Sequence, residues 1–325
     1  ARPTREATFP SPTLSMNGER SYPDGESWRF GVGIADQADP QEWTARLGIE
    51  WYLDWTARPV SAAGAPLHWQ TVRIGVDQMS PSPSRVQDLA TATPGLIWVI
   101  GNEPDVPWQD GVTAARYARA YHELYVSIKE VDPSAQIAAG SISQVTPLRL
   151  AYLDQVLKAY EDDFSGPLPA DMWTIHTYVL REERNSWGTG IPPGFNQSHG
   201  RLYEIEDHGR LDLLAQQLQD FRRWMVANGY RDLPLAVTEF GILMPPDYGF
   251  PPEFVAAYMR GAVDLFLTSR DDELGQPLDD HHLVQRWAWF SLQSSEFPTS
   301  NLVDLSNGTL TQLGALYRSL AVGGP

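Results

Sequence analysis

Two glutamates stand at the ends of two apolar runs of the chain, and carboxyl groups placed in this way can act as a pair. Glu103 lies in VIGNEPD and Glu239 lies in AVTEFG. A protonated carboxyl group can donate its proton to a leaving oxygen while an ionised one attacks the carbon that the oxygen leaves. Cleavage of an acetal such as a glycosidic bond needs one carboxyl group in each of these two roles. The pair can work only if the fold brings the two runs together.

Short apolar runs alternate with amphipathic stretches from residue 30 onward, which is the pattern of consecutive βα units. Several runs are apolar almost throughout, as expected for parallel strands that are buried on both faces. Eight runs are predicted to be strands, namely 30–35, 50–56, 70–76, 97–104, 136–143, 172–179, 234–242 and 285–292.

This strand count predicts an α/β fold, a closed (β/α)8 barrel of the TIM type. The alternative is an open doubly wound sheet, but the run after residue 30 lacks the full glycine spacing of a phosphate-binding loop. In a barrel the carboxyl ends of all strands surround one mouth, and the fourth and seventh strands face each other across it. Glu103 and Glu239 would then share that mouth.

The connections between the strands differ in character. Helical spacing of apolar residues is clear in four of them, over 113–131, 149–163, 209–229 and 253–270. The second connection, 57–69, shows no helical pattern, so the outer layer of helices is predicted to be thin there. The loop 180–208 is long, and long loops after barrel strands usually build the active face. Residues 1–28 are predicted to form an extended arm or linker, and 29–325 the catalytic barrel.

The motifs around the two glutamates resemble those of clan A of the glycoside hydrolases. Asn-Glu-Pro closes the fourth run and Thr-Glu-Phe-Gly closes the seventh, and the resemblance covers most of residues 30–320. It implies that Glu103 is the acid/base, that Glu239 is the nucleophile, and that configuration is retained. It also implies that Asn102 binds the 2-hydroxyl of the sugar at the cleavage point. The residue types of the second run, WYLDW, are similar to those of the small β-1,3-glucanase barrels of family 128. Families 39 and 5 are the alternatives.

The sixth and eighth runs supply further candidates. The resemblance implies that Tyr178 contacts the nucleophile, and His176 lies two residues earlier, where it could tune the pair or simply fill the barrel core. It also implies an aromatic platform under the sugar at Trp289, with Trp287 pointing the same way but deeper. If the strand register is shifted by one residue, Phe290 takes that position instead.

Five other residues are candidates for contacts at the mouth, each with a structural alternative. Asp36 and Asp54 could bind sugar hydroxyls, but either could equally cap a loop or lie on the surface. Trp55 is a further mouth candidate, with a purely structural place in its loop as the alternative. Trp108 and Trp187 could contact the sugar at subsites, although both could also serve only to pin their loops.

Composition narrows the class of ligand. The net charge of −17, from 41 acidic and 24 basic residues, repels nucleic acid and anionic lipid but not neutral sugars. Aromatic residues make up 11% of the chain, including 12 Trp and 13 Tyr, which suits either a large core or a cleft paved with rings. Cysteine is absent, so thiolate metal sites and cysteine nucleophiles are excluded. No metal or cofactor is expected, since the adjacent His281 and His282 diverge.

These observations predict a secreted, monomeric enzyme that hydrolyses a β-linked polysaccharide without contacting nucleic acid or membrane. An endo-acting β-glucanase is favoured, with β-1,3-glucan as the first substrate and mannan, xylan or β-1,4-glucan as alternatives. Two other readings stay open. The chain could be a barrel that binds sugar without cutting it, or a metal-dependent hydrolase, which would need His or Asp ligands at the strand ends.

Overall fold

The computed structural model describes residues 13–14, 20–22, 25–35, 37–60 and 66–323 of the 325-residue chain. Eight strands lie parallel and each pairs with the next, while the eighth returns to the first, so the sheet closes into a barrel. The predicted TIM-type fold is confirmed. The strands are β1 (Phe30–Gly33), β2 (Trp51–Leu53), β3 (Leu67–Ile74), β4 (Ile97–Ile100), β5 (Gln136–Ile142), β6 (Met172–His176), β7 (Leu235–Phe240) and β8 (Arg286–Phe290).

Within the described residues, helices follow every barrel strand except β2. They are α1 (Pro40–Leu47), α2 (Pro83–Ala92), α3 (Ala114–Val131), α4 (Pro147–Phe164), α5 (Leu211–Ala227), α6 (Pro252–Thr268) and α7 (Gln312–Ala321). After β2, residues 54–60 and 66 carry no helix, and 61–65 lie outside the described residues. The predicted thin second connection is therefore confirmed over the part that the structure describes.

Side-chain caps explain where several helices begin. The side chains of Asp39, Ser82, Thr113, Thr146 and Thr311 each accept a hydrogen bond from a backbone N–H in the first turn of the following helix. These bonds satisfy N–H groups that have no partner within the helix.

Shorter elements decorate the barrel. Met79–Ser80 pairs antiparallel with the end of β3, and two-residue ladders join Thr13–Leu14 to Arg20–Ser21 and Val303–Asp304 to Thr309–Leu310. Short 3₁₀ turns occur at Ser27–Arg29, Ile205–Asp207, Pro246–Tyr248, Pro277–Asp279 and Pro298–Ser300.

The inside of the barrel is filled by large rings set against very small residues. Trp51 of β2 and Trp69 of β3 stack with their ring centroids 4.3 Å apart. A Cβ atom at Gly31 would lie 2.3 Å from the Trp51 ring, so only glycine fits there. Ala236 and Ala288 belong to the same buried cluster. This packing closes the barrel below its mouth, as side-chain layers do in such folds.

The described end of the predicted arm packs against the barrel. Trp28 is buried and stacks on Tyr22, and both guanidinium nitrogens Nη1 and Nη2 of Arg29 donate to Asp279 at 2.7 Å. Most of residues 1–28 lie outside the described residues, so the division at residue 28 stays a prediction. Among the helices of the described ranges, none is both long and apolar enough to cross a membrane.

Candidate active site

Glu103 reaches the mouth through a turn rather than from the strand itself. β4 ends at Ile100, earlier than the predicted 104, and Glu103 has a φ of +45°. Its N–H donates to the carbonyl of Ser141 at 2.9 Å. The carboxylate of Asp110 accepts from the N–H groups of Asn102 (2.7 Å) and Ile74 (2.9 Å). These bonds hold a left-handed conformation that costs free energy in a non-glycine residue.

Glu239 reaches the mouth through a bulge in β7. The pairing register of β7 shifts between Val237 and Glu239 against β6, and between Val237 and Phe240 against β8. Strict alternation from the inward-facing Ala236 would point Glu239 away from the barrel interior, because successive side chains alternate faces. The bulge re-aims it, which is a common use of bulges beside active sites.

One imidazole lies between the two carboxylates. Nδ1 of His176 is 2.9 Å from Oε1 of Glu103, and Nε2 is 3.4 Å from Oε1 of Glu239. One side-chain oxygen of each glutamate and a ring nitrogen all lie within 4.8 Å of one another. Carboxyl groups about 5–5.5 Å apart are typical of retaining glycosidases, whereas inverting ones need roughly 6.5–9.5 Å. The spacing of the two glutamates therefore fits the retaining arrangement better than the inverting one.

Two neutral donors hold the Glu239 carboxylate from its other sides. The indole Nε1 of Trp55 donates to Oε1 at 2.7 Å, and the hydroxyl of Tyr178 donates to Oε2 at 3.0 Å. Trp55 follows β2 and has a φ of +54°, and Tyr178 follows β6 rather than lying within it as predicted. Among the residues that the structure describes, Glu103 has no such pair of donors, so the two glutamates occupy different environments.

Burial and charge act on this cluster in opposite directions. Burial raises the pKa of Glu239 and the negative Glu103 adds to this, while His176, Trp55 and Tyr178 oppose it. Burial disfavours the charged form of His176, but Glu239 and Glu103 outweigh it and raise the pKa of the imidazole. The two carboxylates thus favour a protonated imidazole beside the nucleophile.

The same three side chains are the one group within the described ranges whose ligand atoms are close enough to suggest a metal ion. The two ring nitrogens of His176 face different carboxylates, Nδ1 that of Glu103 and Nε2 that of Glu239. Only one of these nitrogens could bind a given ion. Nδ1 already lies at hydrogen-bond distance from Glu103. The arrangement fits a hydrogen bond to Glu103 and a charge contact with Glu239 better than a ligand shell.

The cluster lies in a cleft of about 760 Å³ that is paved with rings from several loops. Trp108 follows β4 and is 58% exposed, Trp187 follows β6, and Phe290 ends β8. Asn102, Trp55 and the two glutamates line the same cleft. Flat rings beside carboxylates suit a ligand with both apolar faces and hydroxyl edges.

The prediction that Trp289 forms the platform is wrong. Its indole is fully buried, contacts Phe240 with ring centroids 5.0 Å apart, and donates to the carbonyl of Ser300 at 2.7 Å. Ala288 faces the interior, so by alternation Trp289 points outward toward the helices. Trp287 is likewise fully buried and belongs to the hydrophobic core between the barrel strands and the surrounding helices. Phe290 takes the cleft position, as the alternative register predicts.

The two aspartates predicted at the mouth fare differently. Asp54 does not line the cleft, since its carboxylate is turned onto Nε2 of His68 at 2.7 Å and the hydroxyl of Thr56 at 2.7 Å. These partners, with Arg58, lower the pKa of Asp54 against the opposing effect of burial. It acts as a structural anchor for the turn that carries Trp55. Asp36 lies outside the described residues.

Sequence reasoning missed a buried ionic cluster behind the acid/base turn. Arg149 of α4 is fully buried and contacts the carboxylates of Asp105 at 3.1 Å and Glu182 at 2.9 Å. It also donates to the carbonyls of Thr189 and Gly190, at 3.2 and 2.6 Å. The cluster ties the turn after β4 to the loop after β6. A single arginine on the apolar face of a predicted helix was the available signal.

The fold and the site together define a (β/α)8 barrel with two glutamates paired across its mouth. Solved structures with this architecture include a family 128 subgroup I endo-β-1,3-glucanase from Amycolatopsis mediterranei in complex with laminaritriose. It is 16% identical, with a TM-score of 0.60, over 90% of this chain and 99% of that chain. A subgroup II endo-β-1,3-glucanase from Pseudomonas viridiflava is 20% identical, with a TM-score of 0.62, over 90% and 97%.

A third structure is a subgroup III curdlan-specific exo-β-1,3-glucanase from Blastomyces gilchristii in complex with glucose. It is 14% identical, with a TM-score of 0.59, over 90% of this chain and 97% of that chain. Likeness at this level of identity shows the barrel fold. The three neighbours are family 128 glucanases, in agreement with the resemblance of the sequence to that family.

Comparisons of sequence reach less far. No family model matches the chain. One curated protein, an intracellular exo-α-(1→5)-L-arabinofuranosidase of Bacillus subtilis, is 34% identical over 90 residues. The matched segment spans 27% of this chain and 17% of that protein.

Proposed function

We propose that the protein is a retaining glycoside hydrolase that cleaves β-1,3-glucan within the chain. The observation that carries the proposal is the pairing of Glu103 and Glu239, whose carboxyl oxygens come within 4.8 Å of each other at the barrel mouth. That spacing suits direct attack by one carboxylate while the other protonates the leaving oxygen.

The unequal surroundings of the two glutamates support their roles. Glu239, held by Trp55 and Tyr178, is oriented to attack the anomeric carbon as a carboxylate and form a covalent glycosyl-enzyme. Glu103 gives its proton to the departing glycosidic oxygen, and then takes a proton from the water that releases the sugar. Asn102, which lines the cleft next to Glu103, is placed to bind a hydroxyl of the sugar.

The fold relatives and the cleft support the choice of substrate. The neighbours from Amycolatopsis, Pseudomonas and Blastomyces are all described as β-1,3-glucanases, two of them endo-acting and one exo-acting. Endo action is favoured here because Trp108, Trp187 and Phe290 line one continuous cleft with room for several sugar rings.

A hydrolysis screen tests the proposal. Laminarin and laminari-oligosaccharides should be cleaved, and the anomeric proton of the first product should have the β configuration by NMR. β-1,4-Glucan, mannan, xylan and α-1,5-arabinan form the comparison panel, the last because of the local similarity to an arabinofuranosidase. Preferred cleavage of any of these would overturn the substrate, and an α product would overturn the retaining mechanism.

The two glutamates can be told apart by chemical rescue. With an activated aryl β-glucoside, azide should restore turnover to Glu239→Ala with an α-glycosyl azide as product, and to Glu103→Ala with a β-glycosyl azide. Glu253→Ala, a change of an exposed glutamate at the start of α6, is the control that should keep full activity. Binding of laminari-oligosaccharides without turnover by the unchanged protein would favour a non-catalytic sugar-binding barrel.

We also propose that the enzyme acts outside the cell and as a monomer. A polysaccharide is too large to enter a cell intact, and a single barrel supplies both catalytic glutamates and the aromatic rings of the cleft. Glucanase activity in the culture fluid is the expected result for the first point, and a mass near 36.3 kDa by light scattering of the 325-residue chain for the second. Activity confined to the cell lysate, or a dimer mass, would contradict these two points.

A further inference from the structure

His176 contacts both members of the catalytic pair with a single ring. It is the last residue of β6 and the register partner of Glu239 on β7. Its side chain is fully buried, with Nδ1 2.9 Å from Glu103 and Nε2 3.4 Å from Glu239. Nε2 has no conventional hydrogen-bond partner among the described residues. The ring therefore joins the carboxylates rather than filling space in the core.

The charged and titratable groups around the imidazole are mostly acidic. Glu103 and Asp105 approach from the turn after β4, Glu239 from β7, and the Tyr178 ring packs edge-on with its centroid 6.1 Å away. Arg149 lies behind Asp105 and offsets part of its charge. Burial opposes protonation of His176, yet these carboxylates outweigh it and raise its pKa.

We propose that His176 is a positioning residue that couples the ionisation of Glu103 to that of Glu239. The role rests on the proposed function of the two glutamates. An imidazole with hydrogen on both ring nitrogens can donate to Glu103 through Nδ1 while its Nε2–H lies in charge contact with Glu239, 3.4 Å from Oε1. When Glu103 passes its proton to the leaving oxygen, the new carboxylate is stabilised through Nδ1 while Nε2 still faces the nucleophile. The imidazole keeps its own protons throughout.

The first test measures the charge of His176 in the resting enzyme and needs no substrate. The chain has seven histidines, and the imidazole resonances lost in His176→Phe identify the right one by ¹H–¹⁵N NMR. Glu239→Gln should lower the pKa of His176 by about one unit, since it removes a negative charge beside the ring, and Glu103→Gln should lower it over the pH range in which Glu103 is ionised. An imidazole pKa that is the same in the unchanged protein and in both variants would overturn the coupling.

The second test uses the pH profile of kcat/KM. Loss of the imidazole charge in His176→Phe should move the acidic limb to higher pH by about one unit, because His176 lowers the pKa of Glu239. His122→Phe is the matched control, since His122 stacks on Phe164 at the barrel surface, 3.6 Å between ring centroids. A profile of His176→Phe that superimposes on the unchanged enzyme after scaling would reduce His176 to packing and overturn the proposal.

The two tests separate this inference from the proposed function. If laminarin is not cleaved but the NMR shifts occur, the coupling stands and the substrate is wrong. If laminarin is cleaved with retention but neither the NMR pKa nor the pH profile responds, the function stands and the coupling is wrong.

Discussion

The indole of Trp55 donates a hydrogen bond of 2.7 Å to Oε1 of Glu239, although 184 positions of the chain separate the two residues. Trp55 adopts a left-handed backbone conformation to do so, with a φ of +54°. The turn that carries it is anchored by Asp54, whose carboxylate lies 2.7 Å from Nε2 of His68 on β3. A strained residue held by a half-buried anchor indicates that the position of the indole matters for the site.

Replacement of Trp55 by Phe is expected to lower kcat by roughly 10- to 100-fold with a smaller change in KM. A hydrogen bond to a charged group is worth about 1.5–3 kcal/mol, which corresponds to that range of rates. The acidic limb of the pH profile should also move upward, since the indole lowers the pKa of Glu239. Steady-state kinetics on laminari-oligosaccharides across pH measure both effects.

Trp224→Phe provides a matched control for this change. Its Nε1 also donates to a carboxylate at 2.7 Å, that of Asp154, but on the outer layer of helices. The variant should retain kcat and the pH profile. Equal losses in both variants would show that the Trp55 effect arises from general destabilisation instead of the contact with Glu239.

The fold and the catalytic pair were predictable because they depend on regular features. Eight apolar runs with helical stretches between them predict a barrel, and motifs at the fourth and seventh runs place two glutamates at one mouth. The irregular backbone was not predictable in this way. Glu103 and Trp55 have positive φ, and Glu239 depends on a bulge, so strand periodicity alone does not give their directions.

The eighth strand shows how a single step of register changes the assignment. Trp287 and Trp289 alternate with Ala288, and either set could face inward on composition alone. The barrel interior already holds Trp51 and Trp69, so it has room only for the alanine. That constraint comes from side chains far apart in sequence, and a single strand does not carry it.

Trp108 offers a second test of the cleft. A Cβ atom at Gly190 would lie 2.9 Å from its ring, so the glycine lets the loop support one side of an indole that is otherwise 58% exposed. Trp108→Ala should raise KM for laminarin roughly tenfold, the equivalent of about 1.4 kcal/mol of lost apolar contact. KM for a short aryl β-glucoside should not change.

Val76→Ala, an exposed apolar change outside the cleft, is the control and should change KM for neither substrate. An equal rise in KM for both substrates in Trp108→Ala would contradict a subsite distant from the cleavage point.

Arg149 is expected to govern stability more than any exposed ion pair. Arg149→Met leaves the carboxylates of Asp105 and Glu182 buried without their cation, which typically costs about 3–5 kcal/mol. Urea denaturation should show this loss as a lower midpoint. Arg119→Met removes an exposed pair with Asp163 and should leave the midpoint nearly unchanged. Similar midpoints for the two variants would show that the buried cluster is not a structural anchor.

His208 should make the free energy of unfolding depend on pH below neutrality. Its Nδ1–H donates to the carbonyl of Val179 at 3.1 Å and its Nε2 accepts from the N–H of Leu243 at 2.9 Å, which fixes the neutral form between two loops of the mouth. Burial lowers its pKa to about 4, whereas an unfolded histidine titrates near 6.5. The unfolded state therefore binds the extra proton first as the pH falls. The contribution of neutral His208 to the free energy of unfolding is complete above about pH 6.5 and is lost as the pH falls toward 4, by up to about 3 kcal/mol.

His208→Gln should remove this part of the pH dependence in urea titrations between pH 7 and 4, while the exposed His199→Gln should keep it. Parallel curves for the unchanged protein and His208→Gln would show that His208 is not buried in its neutral form.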